Sequence, residues 1–417
     1  MNAITPAAGF DARLDRLGEV AVRVGLGLVP GQELLVTAPL DAVPLVRRIT
    51  EHAYRAGASL VTTFLSDEVT TLARFQHAPD AAFDTAPAWL FDGMATAFRG
   101  GAARLAIAGE NPSLLAGQDP ARIARANRAR SVAYKPAMEL ITGFATNWCV
   151  ACAATPAWAQ TMFPDLDRDA AMARLWDAIF AASRVDAPDP VAAWGAHNAM
   201  LHARTAMLND RRYAALHFRG PGTDLRVGLA DGHLWLGGSE PAKTGIVCNP
   251  NIPSEEVFTT PHMLRVDGTV RSTKPLSYQG TLIQDIAVRF EGGSITDATA
   301  RTGQEVLQKV LGTDPGARRL GEVALVPHSS PISASGLLFF NTLFDENAAS
   351  HIALGQAYRT CLTGGTTAPE DELAQRGANS SLIHIDWMIG SGDIDVDGLD
   401  AQGVAEPVMR HGEWATA

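Results

Sequence analysis

The sequence is poor in cysteine, with four residues among 417, which argues against a disulfide framework and favours a reducing compartment. No apolar run approaches the length of a membrane-spanning helix. The N-terminal stretch carries acidic side chains where a secretory signal would have an apolar core. No basic run is present and the formal net charge is −11, so we expect neither a nucleic-acid nor a membrane partner. These absences predict a cytoplasmic protein.

The order of the predicted elements indicates two domains. Residues 33–39 and 58–66 are rich in strand-forming residues and flank a helical pattern at 40–57, and this strand–helix–strand unit predicts a parallel sheet. Near residue 200 the pattern changes to short alternating strands with Gly-rich turns, interrupted by predicted helices near 298–311 and 347–361. We therefore expect an N-terminal α/β domain over residues 1–200 and a C-terminal α+β domain over 201–417.

The C-terminal part contains a dense set of side chains that can bind metal ions. They lie in four short segments, residues 251–262, 321–328, 343–358 and 381–392, and comprise Glu255, Glu256, Glu322, Glu346, His351, Tyr358, His384 and Asp386. Carboxylates mixed with imidazoles bind divalent zinc, cobalt or manganese. Several carboxylates with only two imidazoles suit two cations better than one, because four positive charges need more neutralisation. The mixture predicts metal-assisted hydrolysis.

The spacing within these segments gives local expectations. His384 and Asp386 are two residues apart in a run of strand-forming residues, so both should project to one face. His351 and Tyr358 are seven apart, which on a predicted helix would place them on one face. Glu322 opens an apolar strand, where a carboxylate is costly unless paired or metal-bound.

Two further pairs of residues are ambiguous. Glu255 and Glu256 are adjacent and point to opposite sides of an extended chain, so only one should reach the site. His262 and His328 could donate hydrogen bonds to the metal-binding residues, but we interpret them as ordinary surface histidines.

The four segments, in this order, resemble the thermophilic metalloaminopeptidase family. The similarity extends over nearly the whole chain and includes GENPSLL (109–115), ATNWC (145–149), DPVAAW (189–194), ALHFRGPGTDLRVGL (215–229) and RVDGTV (265–270). The resemblance implies a two-metal site in the C-terminal domain, and a homodimer with an enclosed active-site cavity. It places the metal-binding residues at Glu256, Glu322, Glu346, His351, His384 and Asp386, and the catalytic tyrosine at Tyr358.

We therefore expect a metal-dependent aminopeptidase that removes the N-terminal residue of a peptide with a free N-terminus, using two divalent ions, zinc, cobalt or manganese. Glu256 or Glu322 is the expected proton shuttle. One alternative is a ring-opening dioxygenase of hydroxypyridines, which resembles the same family but needs a single non-haem iron that His351, His384 and Asp386 could bind. A binding protein that has kept the fold is the other.

Overall fold

The computed structural model describes residues 9–278 and 280–415, and these form two compact units. One unit takes the chain up to Ala196 together with Ser239–Pro253, and the other takes His197–Gly238 and the chain from Ser254 onward. The sequence patterns did not predict that residues 239–253 return to the first unit.

The first unit is built around a parallel sheet, as predicted from the strand–helix–strand pattern. Its strands are β1 (Glu33–Pro39), β2 (Leu60–Ser66), β3 (Ala103–Ala108) and β4 (Trp148–Cys152), in the spatial order β2-β1-β3-β4. The helices of this part of the chain are α1 (Phe10–Val20), α2 (Val43–Arg55), α3 (Glu68–His77), α4 (Ala88–Arg99), α5 (Pro120–Thr142), α6 (Pro156–Met162), α7 (Arg168–Ala182) and α8 (Pro190–Arg211). Most of α8, from His197 onward, belongs to the second unit. Among the described residues, no helix has the length and apolar content required to cross a membrane.

The second unit consists mainly of antiparallel strands. Its strands are β5 (Ala215–Gly220), β6 (Thr223–Leu229), β9 (Val257–Thr259), β10 (Pro261–Arg271), β11 (Leu276–Tyr278), β12 (Thr281–Ile283), β13 (Ala287–Glu291), β14 (Ser294–Thr299), β15 (Leu320–Leu325), β16 (His351–Gly355), β17 (His384–Met388), β18 (Asp395–Leu399), β19 (Ala405–Arg410) and β20 (Glu413–Trp414). The two short strands between β6 and β9, β7 (Glu240–Pro241) and β8 (Val247–Cys248), belong to the first unit. Its short helices are α9 (Gln304–Leu311), α10 (Pro331–Ser335), α11 (Thr342–Asp345) and α12 (Glu370–Gln375). The helix predicted near 298–311 is therefore shorter, because its first residues still belong to β14.

Two sheets dominate the second unit. The larger has eight strands in the order β14-β13-β10-β6-β5-β18-β19-β20, and the smaller has four in the order β17-β16-β15-β9. The smaller sheet has one apolar face: Val323, Ile352, Leu354 and Trp387 are all buried in the hydrophobic core of this unit. Because side chains alternate across a strand, the residues between them lie on the opposite face, and these include Glu322, His351 and Asp386.

The predicted helix over 347–361 is wrong. His351–Gly355 form β16, which pairs on one side with β15 and on the other with β17. Tertiary pairing overrides the helical spacing here, because Ile352 and Leu354 alternate into the core as strand residues do. Gly355 ends the strand with φ +104°, a conformation that favours glycine, and a Cβ there would collide with the carbonyl group of Ile383. The glycine serves close backbone packing, and the seven-residue spacing from His351 to Tyr358 does not correspond to two helical turns.

Replacing Gly355 with alanine should destabilise the protein by about 2 kcal/mol or more, because the substitution adds backbone strain to a steric collision with backbone atoms. The measurement is the free energy of unfolding in urea. Gly336→Ala is the matched control, since Gly336 also has positive φ (+66°) but open space around it. An equal loss in both variants would contradict the role of the Ile383 contact.

Candidate metal centre

Two triads of metal-binding side chains converge on one face of the smaller sheet. Glu256, Glu322 and His351 form the first, and Glu322, His384 and Asp386 form the second. Within each triad, one ligand atom from every residue lies within 4.8 Å of the others. Glu322 belongs to both, so the two triads are adjacent and share a carboxylate.

The two oxygens of Glu322 face different imidazoles. Oε1 lies 3.6 Å from His351 Nε2, and Oε2 lies 3.3 Å from His384 Nε2. On the outer sides, Glu256 Oε2 lies 3.1 Å from His351 Nε2, and Asp386 Oδ1 lies 3.4 Å from His384 Nε2. A carboxylate with one oxygen in each triad has the arrangement of a bridging ligand.

Backbone carbonyl groups orient both imidazole rings. His351 Nδ1 lies 3.1 Å from the oxygen of Ala349, and His384 Nδ1 lies 2.7 Å from the oxygen of Gln356. An Nδ1–H group that donates to a carbonyl leaves Nε2 directed at the carboxylates. A hydrogen bond from the other ring nitrogen to a backbone carbonyl is the usual way in which a metal-binding histidine is oriented.

Burial and the density of charge shift the titration of this cluster. Burial alone would raise the pKa of Glu322, but the two neighbouring imidazoles outweigh it and bring the pKa to about 2. Burial raises the pKa of Glu256 above its usual value, against the positive charge of His351. Burial lowers the pKa of His384, but Asp386 and Glu322 reverse this and raise it to about 11. In this buried position the carboxylates therefore need positive charge close to them in order to stay ionised.

The residues fit a divalent cation. Glu256 Oε2 and Asp386 Oδ1 are buried and accept no hydrogen bond of normal geometry, although an imidazole nitrogen lies near each. Buried carboxylate oxygens are costly in this condition. Oxygen and imidazole nitrogen donors without thiolates are the ligand set of zinc, cobalt and manganese sites.

Glu346 lies outside both triads but interacts electrostatically with their members. It follows α11 in a short 3₁₀ turn, Glu346–Ala348. Burial, and next the negative charges of Glu256 and Asp386, raise its pKa well above the usual value. The charges of the two triads thus affect the ionisation of Glu346.

Of the two adjacent glutamates, only Glu256 is part of a triad. Glu255 is also buried, and its Oε2 lies 3.7 Å from His197 Nε2 of α8. Neither His262 nor His328 belongs to a triad among the described residues.

Tyr358 lies beside the second triad, three residues after the end of β16. Its ring centroid is 4.7 Å from that of His384 and 6.0 Å from that of Phe258. The residue keeps 41% of its surface exposed, whereas Glu322 keeps 4%. Burial of the phenol group, and then the negative charge of Glu322, hold the pKa of Tyr358 well above the usual value, so the phenol stays protonated and can donate a hydrogen bond.

Sequence reasoning missed Asn347, which connects two of the segments. This fully buried side chain accepts a hydrogen bond from the Glu255 backbone N–H (2.6 Å) and donates one to the carbonyl of Leu343 (2.9 Å). It thereby fixes the backbone beside Glu256 to the backbone beside Glu346. The only signal in the sequence was its position next to Glu346.

Comparison with known proteins gives matches along the whole chain. The sequence profile of the thermophilic metalloprotease (M29) family matches residues 10–414. Aminopeptidase T of Thermus aquaticus is 54% identical over 405 residues, 97% of this chain and 99% of that protein. Aminopeptidase 2 of Geobacillus stearothermophilus is 47% identical over 406 residues, 97% of this chain and 98% of that protein. The structure of wild-type AmpT from Thermus thermophilus superposes with a TM-score of 0.93 at 53% identity, covering 98% of this chain and all of that chain.

These relatives do not favour the ring-opening dioxygenase alternative, since they are named as aminopeptidases. The site agrees, because Glu256 and Glu322 add two carboxylates to His351 in the first triad that a single iron would not need. The resemblance found in the sequence motifs is thereby confirmed, and the chain belongs to the thermophilic metalloprotease (M29) family.

Proposed function

We propose that this protein is a metal-dependent aminopeptidase whose reaction takes place at a dinuclear centre on the smaller sheet. The observation that carries the proposal is the shared carboxylate: Glu322 has one oxygen in each of two adjacent triads. The names of the relatives, all aminopeptidases at 38–54% identity, support removal of an N-terminal residue as the reaction.

The ligand roles divide along the two triads. Glu256 and His351 would hold one cation, His384 and Asp386 the other, and Glu322 would bridge them. Glu346 would add a further carboxylate ligand, since its charge already interacts with those of Glu256 and Asp386. The metals we propose are zinc, cobalt or manganese, on the basis of the donor types.

The chain's own residues supply the remaining chemistry. When bound, a pair of divalent cations polarises the scissile carbonyl and lowers the pKa of a water molecule. Glu256 or Glu322 then takes a proton from the attacking water and passes it to the leaving amine. The Tyr358 hydroxyl donates a hydrogen bond to the oxygen that gains negative charge, because it is protonated and its ring lies beside His384. The free N-terminal amine of the substrate would bind one of the cations or an acidic side chain, which would restrict cleavage to the N-terminal residue.

The expectations about domain organisation, oligomeric state and location in the cell remain proposals. We propose an N-terminal α/β domain and a C-terminal catalytic domain, a homodimer, and a cytoplasmic location. Size-exclusion chromatography with light scattering tests the dimer directly.

The proposed activity is tested with a panel of aminoacyl reporter amides after the metal has been stripped with a chelator. Activity should be absent in the stripped protein and return with zinc, cobalt or manganese, at two ions per chain by elemental analysis. N-acetylated versions of the same amides are the control and should not be cleaved. Restoration by ferrous iron alone, with ring-opening of hydroxypyridines and one ion per chain, would refute the proposal.

Glu256→Gln should reduce bound metal while leaving the metal-free protein folded, because an amide is a weak metal ligand but carries no buried charge. In the unaltered protein, saturating metal should add roughly 3–4 kcal/mol of stability at 100–1,000 times Kd, and the variant should lose most of this gain. The measurements are metal content and melting temperature with and without chelator.

Glu255→Gln is the matched control for this test, since Glu255 is adjacent and buried but lies outside both triads. It should keep the metal content of the unaltered protein. If Glu255→Gln lost metal and Glu256→Gln kept it, our choice between the two glutamates would be wrong.

Tyr358→Phe should lower kcat about 100-fold, close to 3 kcal/mol, because it removes one donor to the developing negative charge. Metal content should not change, since Tyr358 belongs to neither triad. Tyr213→Phe is the control: it removes a hydroxyl that donates to Glu406 at 2.9 Å and should affect stability but not kcat. Loss of metal in Tyr358→Phe would assign the tyrosine a ligand role.

A further inference from the structure

The strand register places an alanine at the centre of each triad. Across three strands, Glu322 of β15, Ala353 of β16 and Asp386 of β17 are direct partners in one row. Directly paired residues of antiparallel strands project to the same face. The methyl group of Ala353 therefore lies between two carboxylates of the second triad, with His384 two residues along the strand from Asp386.

The neighbouring row repeats this arrangement for the first triad. Phe258 of β9, Ala324 of β15 and His351 of β16 are direct partners. Glu322 lies two residues from Ala324 on the same strand and face, and Glu256 lies two residues before Phe258. Ala324 is therefore surrounded by the three members of the first triad.

Strand preference does not explain these alanines. The core face of the same two strands carries Val323, Leu325, Ile352 and Leu354, residues that fill a buried strand well, whereas alanine is depleted in strands. Both alanines are fully buried, so they are not surface positions where side-chain size is free to vary. On β15 and β16, large apolar side chains occupy the core face, while on the site face each alanine lies next to a metal-binding residue of the same strand.

We infer that Ala324 and Ala353 form the floor of the metal centre, each leaving room for one cation between the converging carboxylate and imidazole tips. This inference rests on the proposed dinuclear function and assigns one floor position to each ion. Ala324 limits the volume at the ion held by Glu256 and His351. Ala353 limits it at the ion held by His384 and Asp386. A β-branched side chain at either position points from the sheet into the space among the ligand atoms.

The test replaces each alanine with valine and loads the chelator-stripped protein with cobalt(II) as the probe. The unaltered protein should bind two cobalt ions per chain, Ala353→Val one, Ala324→Val one, and the double variant none, by elemental analysis and the visible absorption of cobalt. Ala353→Gly and Ala324→Gly are the matched controls and should each bind two, because glycine enlarges the floor. Leu354→Val alters the core face of the same strand and should lower the melting temperature while two ions remain.

Folding of the metal-free variants is followed by far-ultraviolet circular dichroism and thermal melting. The metal-free valine variants should fold, because their added methyl groups displace flexible ligand tips on the site face and leave the core face intact. Valine variants that unfold without metal, or that still bind two ions, would overturn the inference. An unaltered protein that binds no cobalt and cleaves no aminoacyl amide would instead refute the proposed function itself.

Discussion

The requirement that buried negative charge be compensated governs this structure. Glu256, Glu322 and Asp386 are withdrawn from water on one sheet face, and within residues 9–278 and 280–415 the imidazoles that join them in the two triads are His351 and His384. Isolated buried carboxylates cost several kcal/mol each, and a protein would neutralise them by protonation or by binding a cation. The low pKa of Glu322, about 2, indicates which group stays ionised between the two imidazoles. A divalent cation bound among these groups would compensate the negative charge more completely than two imidazoles can.

The two-residue period of the strands makes the arrangement rigid. The same strands that carry Glu322 and His351 on one face pack Val323 and Ile352 into the core on the other. Movement of a ligand backbone would therefore disturb core packing, which resists small displacements. Asn347 extends this rigidity to the irregular segments, since its amide binds the backbone on both the Glu255 and the Leu343 side. The site is held by packed strands and by a buried amide.

The parts of the fold and of the site that the sequence predicts correctly are those in which the local residue pattern fits one kind of element. His384 and Asp386 were placed correctly on one strand face because alternation and strand-forming residues agree in that segment. His351 was correctly grouped with the cluster but placed on the wrong kind of element, since HIALG satisfies helical spacing as well as strand alternation and only its pairing with β15 and β17 decides between them. His197 lies far from Glu255 in sequence, so no local pattern reveals their proximity. The central positions of Ala324 and Ala353 also required the register, because alanine in a strand carries no signal of its own.

Tyr358 is more exposed to solvent than the residues of the two triads, and this difference matches the different roles proposed for them. The triads are nearly closed to solvent, which suits groups that must hold charge at fixed positions, while Tyr358 remains open to it. On the proposed function, a substrate carbonyl would approach the centre from the Tyr358 side. The Tyr358 ring lies next to His384, so the negative charge that the phenol would stabilise develops on the His384 side. Glu322 has one oxygen toward each imidazole, so under the same proposal a proton acceptor at Glu322 would lie between the two triads and would be separate from the group that stabilises the developing charge.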